Sequence, residues 1–262
     1  LGFRDGNLII DDQQSGKQWT FEHISLTLRK PAAGGVSLSV SEDGPQRSWL
    51  FRASVGKPVD GVRGIDIIAD SVRIQDMLLA MRWSDLAFTA DVPLTGRLRG
   101  EIGRDGLPTF MTGKLLGDEG EIIDRQEPRH RVKIDRAEIT FDWDASRRTM
   151  VAPFQIVAGG NRFTLLAHLE PPNGRVPHWQ LGVTGGTIVL AGAEKENPIV
   201  FNRVDVRFLF KTDEGRVILE RADFSNGELG VAGSGIVEYA SAEPRFAIGF
   251  AGTKMSVSAF KR

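Results

Sequence analysis

The chain has 262 residues, 41% of them hydrophobic, which suffices for one large or two small β domains and excludes a disordered chain. Its 33 basic and 34 acidic residues leave a formal net charge of -1, so no bulk field draws it to nucleic acid or to an anionic membrane surface. The absence of cysteine removes disulfides, thiolate zinc sites and cysteine nucleophiles together.

Short apolar runs alternate with polar residues at period two, the pattern of strands with one buried and one wet face. In the first clear strand Ile24, Leu26 and Leu28 share a face, with Ser25, Thr27 and Arg29 on the other. The Pro31 to Gly35 break predicts a hairpin into Val36, Leu38 and Val40. A turn through Ser41 to Pro45 then leads to Trp49, Phe51, Ala53 and Val55, and Ile65, Ile67 and Ala69 continue the rhythm. Between Ser71 and Trp83 the period changes. Val72, Gln75, Met77, Leu78, Leu79 and Met81 fall at helical spacing and predict one short helix near residues 72–82, with Asp70 or Ser71 as its cap. Strands resume at Leu86, Phe88 and Ala90, then at Leu98, Gly100 and Ile102, and Asp105-Gly106 signals a hairpin into the segment from Phe110 to Leu116.

The acidic, Gly-rich stretch from Gly117 to Pro128 reads as a linker between two lobes, 1–117 and 128–262, of one continuous sheet. Beyond it Ala137, Ile139, Phe141 and Trp143 alternate with charged and polar residues, and a turn through Asp144 to Arg148 leads to Phe154 and Ile156. Ala158 to Asn161 turns into Phe163, Leu165, Ala167 and Leu169. Val204, Val206, Phe208 and Phe210 precede the turn Thr212 to Gly215, then Val217 and Leu219. The last strands carry Leu229, Val231 and Gly233, then Phe246, Ile248 and Phe250. Turn signals roughly every 8 to 14 residues predict an antiparallel meander, and the missing crossover helices argue against a parallel α/β fold.

Little in this pattern supports catalysis. His23, His130, His168 and His178 show no ligand spacing, and each reads as an ordinary solvated histidine. A phosphate loop at Gly113-Lys114 fails because Pro108 takes the first glycine position and Leu115 the hydroxyl position. Gly230, Gly233 and Gly235 continue an alternating strand and read as bends or bulges in a curved sheet. No GxSxG elbow occurs, and Asp142 and Asp144, which could hold a cation, are more simply a wet strand face. The densest basic run, Arg125, Arg129, Arg131, Lys133 and Arg136, is diluted by Asp124, Glu127 and Asp135. It could meet lipid phosphates or form the solvated flank of a strand. What remains is the extent of the apolar face. With one helix to cover it, that face must meet a second sheet, curl into a barrel, or form a groove that something apolar fills.

Several stretches resemble the periplasmic region of AsmA-like proteins, in particular the YhdP-like branch related to TamB. They are Gly61 to Asp70, the helix from Val72 to Met81, Pro93 to Gly100 leading to Asp105-Gly106, Phe224 to Gly227 and Gly233 to Val237. The resemblance implies a long curved meander forming an open half-pipe with an apolar interior, anchored in the inner membrane and thought to conduct phospholipid toward the outer membrane. No catalytic residue, cofactor or metal comes with it.

The start at Leu1 and the mid-pattern opening suggest a piece of a longer polypeptide, with any anchor outside this chain, since no run of about 18 apolar residues occurs. The combined expectation is a non-enzymatic, periplasmic lipid-conducting segment. Phe141, Trp143, Phe163, Leu165, Phe208 and Phe210 are expected to line its groove, and Arg129, Arg131 and Lys133 to contact headgroups. Phospholipid is the expected partner and nucleic acid is not. The alternative is a scaffolding envelope domain that binds proteins through its sheet edges.

Overall fold

The computed structural model describes residues 1–12, 17–44, 47–80, 88–192, 197–238 and 245–255. Among them the chain is all-β, with 18 strands and one short helix; the strand pairing is antiparallel and the sheet stays open. It divides into two compact units, Leu1–Ala145 and Ser146–Arg262.

In unit 1, β1 (Gly2–Asp12), β2 (Lys17–Arg29), β3 (Val36–Gly44), β4 (Arg47–Val55) and β5 (Arg63–Arg73) form a meander in which each strand pairs with the next. The helix α1 (Ile74–Ala80) and the short β6 (Phe88–Asp91) follow. Then β7 (Pro93–Ile102) pairs with β5, and β8 (Pro108–Gly117) with β7. β9 (Gly120–Asp124) and β8 together face the long β10 (Arg131–Asp144): Arg131 to Ile134 pair with β9 and Ala137 to Asp142 with β8. β9 also pairs with β6. The segment from Gly117 to Pro128 thus carries a strand bonded on both sides, and the boundary between units falls after Ala145.

Two local expectations change. The helix starts at Ile74 rather than at residue 72, because Ser71 adopts a φ of 55° and donates its N–H to Thr95 Oγ1 at 3.0 Å. That bulge lets β5 run on, so Val72 pairs with Leu94 and is 4% exposed, in a strand rather than a helix. Even Ile74 still donates its N–H to Val92 O at 3.1 Å. Met81, Arg82, Trp83 and Leu86 lie outside the described residues. Likewise Ser41 to Gly44 continue β3 instead of turning, which sets Glu42 opposite Trp49. The indole N–H of Trp49 donates to Glu42 Oε2 at 2.6 Å, and that bond keeps a carboxylate on an otherwise apolar face.

Register assigns the faces. Leu38, Phe51 and Ala53, Ile67 and Leu98 lie on one side, continued by Leu115, Ile139 and Phe141. On this side β7 and β8 alternate glycine with bulk across the ladder: Gly96 faces Leu115, Leu98 faces Gly113, and Gly100 faces Met111. A Cβ at Gly96 would come within 2.3 Å of the Lys114 carbonyl oxygen, and one at Gly113 within 2.7 Å of the Arg97 oxygen. Glycine is therefore what lets these strands close up under the large side chains.

Unit 2 is a second meander of β11 (Thr149–Ala158), β12 (Asn161–Glu170), β13 (Trp179–Leu190), β14 (Ile199–Phe201), β15 (Arg203–Lys211), β16 (Arg216–Ser225), β17 (Leu229–Glu238) and β18 (Arg245–Met255). β13 pairs with β15 through its first half and with β14 through its second. The predicted turns form where the sequence places them, with Gly159 and Gly160 at φ 53° and 84° and Gly215 at 62°. Register shifts recur in β12, β15, β16 and β17, the irregularities that bend a sheet. The glycines read as bends or bulges stand at such irregularities: the β16–β17 register shifts between the partners of Gly235 and Gly233, and the β17–β18 register shifts at Gly230. A Cβ on Gly233 would also meet the Phe250 ring at 2.4 Å, so Gly233 is the seat of that ring.

Candidate functional site

In unit 2 one face is apolar from β11 to β18. Phe154, Leu165, Val183, Val206 and Leu219 occupy successive strands on it, with Ile188 and Phe201 at the β13–β14 pairing. Leu165, Ile188, Phe201, Val204, Val206, Leu219 and Ala222 form its buried centre. Phe201 and Phe224 meet edge to face, with ring centroids 6.2 Å apart. The unit has no helix and no second sheet among its described residues, so same-face neighbours of one curled layer provide this burial. Toward β18 that shelter fades: Phe246 is 74% exposed and Phe250 61%. The other face carries Arg207, Arg221, Asp205 and Asp223, where Arg221 bonds both aspartates.

The residues expected to line a groove are distributed over both units. Leu165 belongs to the buried centre of unit 2, and Phe163 and Phe208 pack against it. Phe210 lies on the same face, opposite Trp179 and Val217. Phe141 and Trp143 belong to β10 in unit 1, where both are half-buried and Phe141 sits opposite Gly113.

An apolar concavity among the described residues lies elsewhere. A half-open cavity of about 370 Å³ rests on the apolar face of β1 to β5, within the ~300–1,000 Å³ range of small-molecule sites. Leu8 of β1, Phe21 and Ile24 of β2, Leu38 and Val40 of β3, and Trp49 and Phe51 of β4 form its floor and walls. Val72 of β5 and Asp76 and Met77 of α1 complete it. The backbone builds this corner with facing irregularities. Asp5 and His23 both take positive φ, 50° and 58°, and are joined by a 2.7 Å contact between His23 Nδ1 and Asp5 Oδ1. Beyond that kink Ile24 turns inward and is 1% exposed. The Asp5 carboxylate, by hydrogen bond and then by charge, raises the His23 pKa above its ordinary value.

Sequence reasoning placed Leu38, Val40, Trp49 and Phe51 on one face yet did not single them out. The available signal was that the one helix follows these strands directly and could arch over them.

The basic run is largely neutralised. Lys133 Nζ lies 2.5 Å from Glu119 Oε1, and Arg131 Nη1 lies 3.6 Å from Glu121 Oε2. The bond to Glu119 raises the Lys133 pKa and lowers that of Glu119. Arg129 is exposed in the turn before β10. Among the histidines, His168 Nε2 lies 3.4 Å from Thr184 Oγ1, His130 reaches Glu127 at 3.2 Å and His178 reaches Asp213 at 3.7 Å. Asp142 accepts a bond from Thr112 Oγ1 at 2.8 Å on the wet face. No group of three or more His, Asp or Glu among the described residues could hold a metal ion.

No protein-family model matches this chain, and no curated protein or solved structure matches it. Among the described residues no helix is long and apolar enough to cross a membrane.

Proposed function

We propose that this chain is a non-catalytic lipid-binding and lipid-conducting segment, whose apolar sheet faces hold phospholipid acyl chains while headgroups remain at the wet margins. The observation that carries this reading is a one-layer sheet in unit 2 whose apolar face continues across all its strands and ends in exposed Phe246 and Phe250. Each methylene withdrawn from water onto such a face gains about 0.8 kcal/mol, so a chain needs no chemistry to be held there. The resemblance to AsmA-like proteins of the YhdP-like branch supports the same reading. It extends it to a periplasmic protein anchored in the inner membrane by a segment outside this chain.

The test is uptake of a fluorescent phospholipid by the chain after delipidation, with native mass spectrometry of protein purified from a bacterial host. Bound phospholipid and saturable uptake are expected, and Phe208→Asp should abolish uptake while preserving the β circular dichroism spectrum. A dry protein with no uptake refutes the proposal. One observation favours a second reading, a scaffolding envelope domain that binds proteins through a sheet edge: β18 exposes Phe246, Ile248 and Phe250 together. Capture of a defined envelope protein without lipid, lost on Phe250→Ser, would support it.

A further inference from the structure

The wet face of unit 2 carries a polar dimple built around Gly182. Register puts Gly182 between His168 of β12 and Arg207 of β15, with Gln180 and Thr184 on either side of it along β13. Glu170 lies opposite Gln180 and Asp205 opposite Thr184, so six polar side chains surround a position that has none. A Cβ at Gly182 would come within 2.8 Å of the His168 ring, so glycine is what lets that ring lean over the floor. There His168 Nε2 also meets Thr184 Oγ1 at 3.4 Å. The dimple holds about 170 Å³, below the ~300–1,000 Å³ of drug-sized sites and enough for about six water-sized groups.

Two of its charges are left over. Arg207 stands directly opposite Arg221, a like-charge pairing that is unfavourable in a sheet. Arg221 is neutralised by Asp205 at 3.5 Å and by Asp223, which leaves Arg207 with no acidic partner among the described residues. Glu170, on the far side of the dimple, likewise has no basic partner among them. With strands ~4.8 Å apart and a rise of ~3.4 Å per residue, the Cα atoms of Arg207 and Glu170 are about 12 Å apart. A small molecule carrying both charges can bridge them.

We propose that this dimple binds a short zwitterion of the ω-amino acid class, its carboxylate on the Arg207 fork and its ammonium group toward Glu170. Gln180, Thr184 and His168 supply the neutral hydrogen bonds between the two ends. The site lies on the face opposite the apolar surface of unit 2 and does not rest on the lipid-binding reading.

The experiment is an NMR titration of the full chain with 4-aminobutyrate, glycine, butyrate and butylamine, read at the Gly182 amide and the His168 ring. 4-Aminobutyrate should bind best, and butyrate and butylamine each about fivefold more weakly, the scale of one exposed charge pair. Glycine, whose charges are too close together to span the dimple, should also bind more weakly. Arg207→Gln should reduce 4-aminobutyrate to the level of butylamine, and Glu170→Gln should reduce it to the level of butyrate. Arg203→Gln, an exposed cation of the same strand outside the dimple, should change nothing.

Equal binding of butyrate and 4-aminobutyrate, or binding unaffected by both Arg207→Gln and Glu170→Gln, overturns the proposal. So does the absence of any shift at Gly182 and His168 up to about 10 mM ligand. Phospholipid uptake is read separately, so either reading can fail while the other stands.

Discussion

Gly185 and Gly186 offer a test of the curvature on which the apolar face of unit 2 depends. Both lie in β13 with positive φ, 66° and 72°, opposite the register shift between Thr164 and Leu166 of β12. They differ in space. An added Cβ meets nothing within 4 Å at Gly185, whereas at Gly186 it would lie 1.9 Å from the Thr164 carbonyl oxygen. Gly185→Ala should therefore incur the left-handed backbone cost of ~1–2 kcal/mol, partly offset by ~0.4–1 kcal/mol from a less flexible unfolded chain. A net loss of about 1 kcal/mol is expected.

Gly186→Ala carries the same strain and a backbone collision, about 1.4 Å short of the ~3.3 Å at which carbon and carbonyl oxygen pack. β12 must retreat, and each buried ladder bond left unmade costs about 1–3 kcal/mol, so the total should reach about 3 kcal/mol. Gly249→Ala is the baseline, in an extended strand with nothing within 4 Å, and should stabilise by about 0.5 kcal/mol. Urea unfolding followed by far-UV circular dichroism measures all three. Loss at Gly186 within about 0.5 kcal/mol of that at Gly185 would refute the bulge, and with it this account of how the layer curls.

Ile24→Ala should cost about 3 kcal/mol in the same assay, because Ile24 is 1% exposed and the adjoining cavity leaves few neighbours to collapse into the space. Asp5→Asn should move the His23 imidazole titration, followed by NMR, down toward its ordinary value. The raised pKa stabilises the folded chain fully below about 6.5, and that contribution fades as pH rises through the folded value, so the variant should lose the corresponding slope of melting temperature on pH. Asp66 behaves oppositely. Arg97 grips both its oxygens and holds its carboxyl below the usual carboxylate range, so its contribution is present at neutral pH and is lost on acidification through the folded value. Asp66→Asn should shallow that acid limb only slightly, since the pair is partly solvated.

Strand identity and face were legible in the sequence because period two is a local property: Phe163, Leu165 and Phe208 fell on the apolar side, as their alternation implied. Hairpins written in glycine were equally legible, as at Gly159-Gly160 and Gly106. What escaped depends on partners distant in the chain. Val72 satisfies a helical spacing, yet β7 offers Leu94 and holds it in a strand. Glu42 looked like turn material until the register set it against Trp49, where the indole N–H satisfies it. The basic run looked available to phosphate because Glu119 and Glu121 lie across the β9–β10 ladder from it, a pairing that spacing does not reveal. The cavity escaped for the same reason, since its walls come from five strands and a helix.

On the proposed lipid-binding reading, the division of labour between faces separates a core from a binding surface. A core shared by two layers gains from bulk at every inward position, because interdigitation then excludes voids. On β7 and β8 the inward positions instead alternate glycine with Leu or Met, so each large side chain stands beside a position with none. The outward positions of the same strands carry ion pairs, Arg97 with Asp66 and Lys114 with Glu138 at 2.6 Å, which keep that side wet. Such a layer is low and uneven on its apolar side and firmly solvated on the other. Under the proposed function its apolar side would suit a flexible hydrocarbon chain better than a second rigid sheet, because a chain can follow the glycine gaps that an opposing layer would leave empty. Placing Leu at an outward position such as Lys114 should therefore promote self-association without improving lipid uptake, an outcome readable by sedimentation alongside the phospholipid assay.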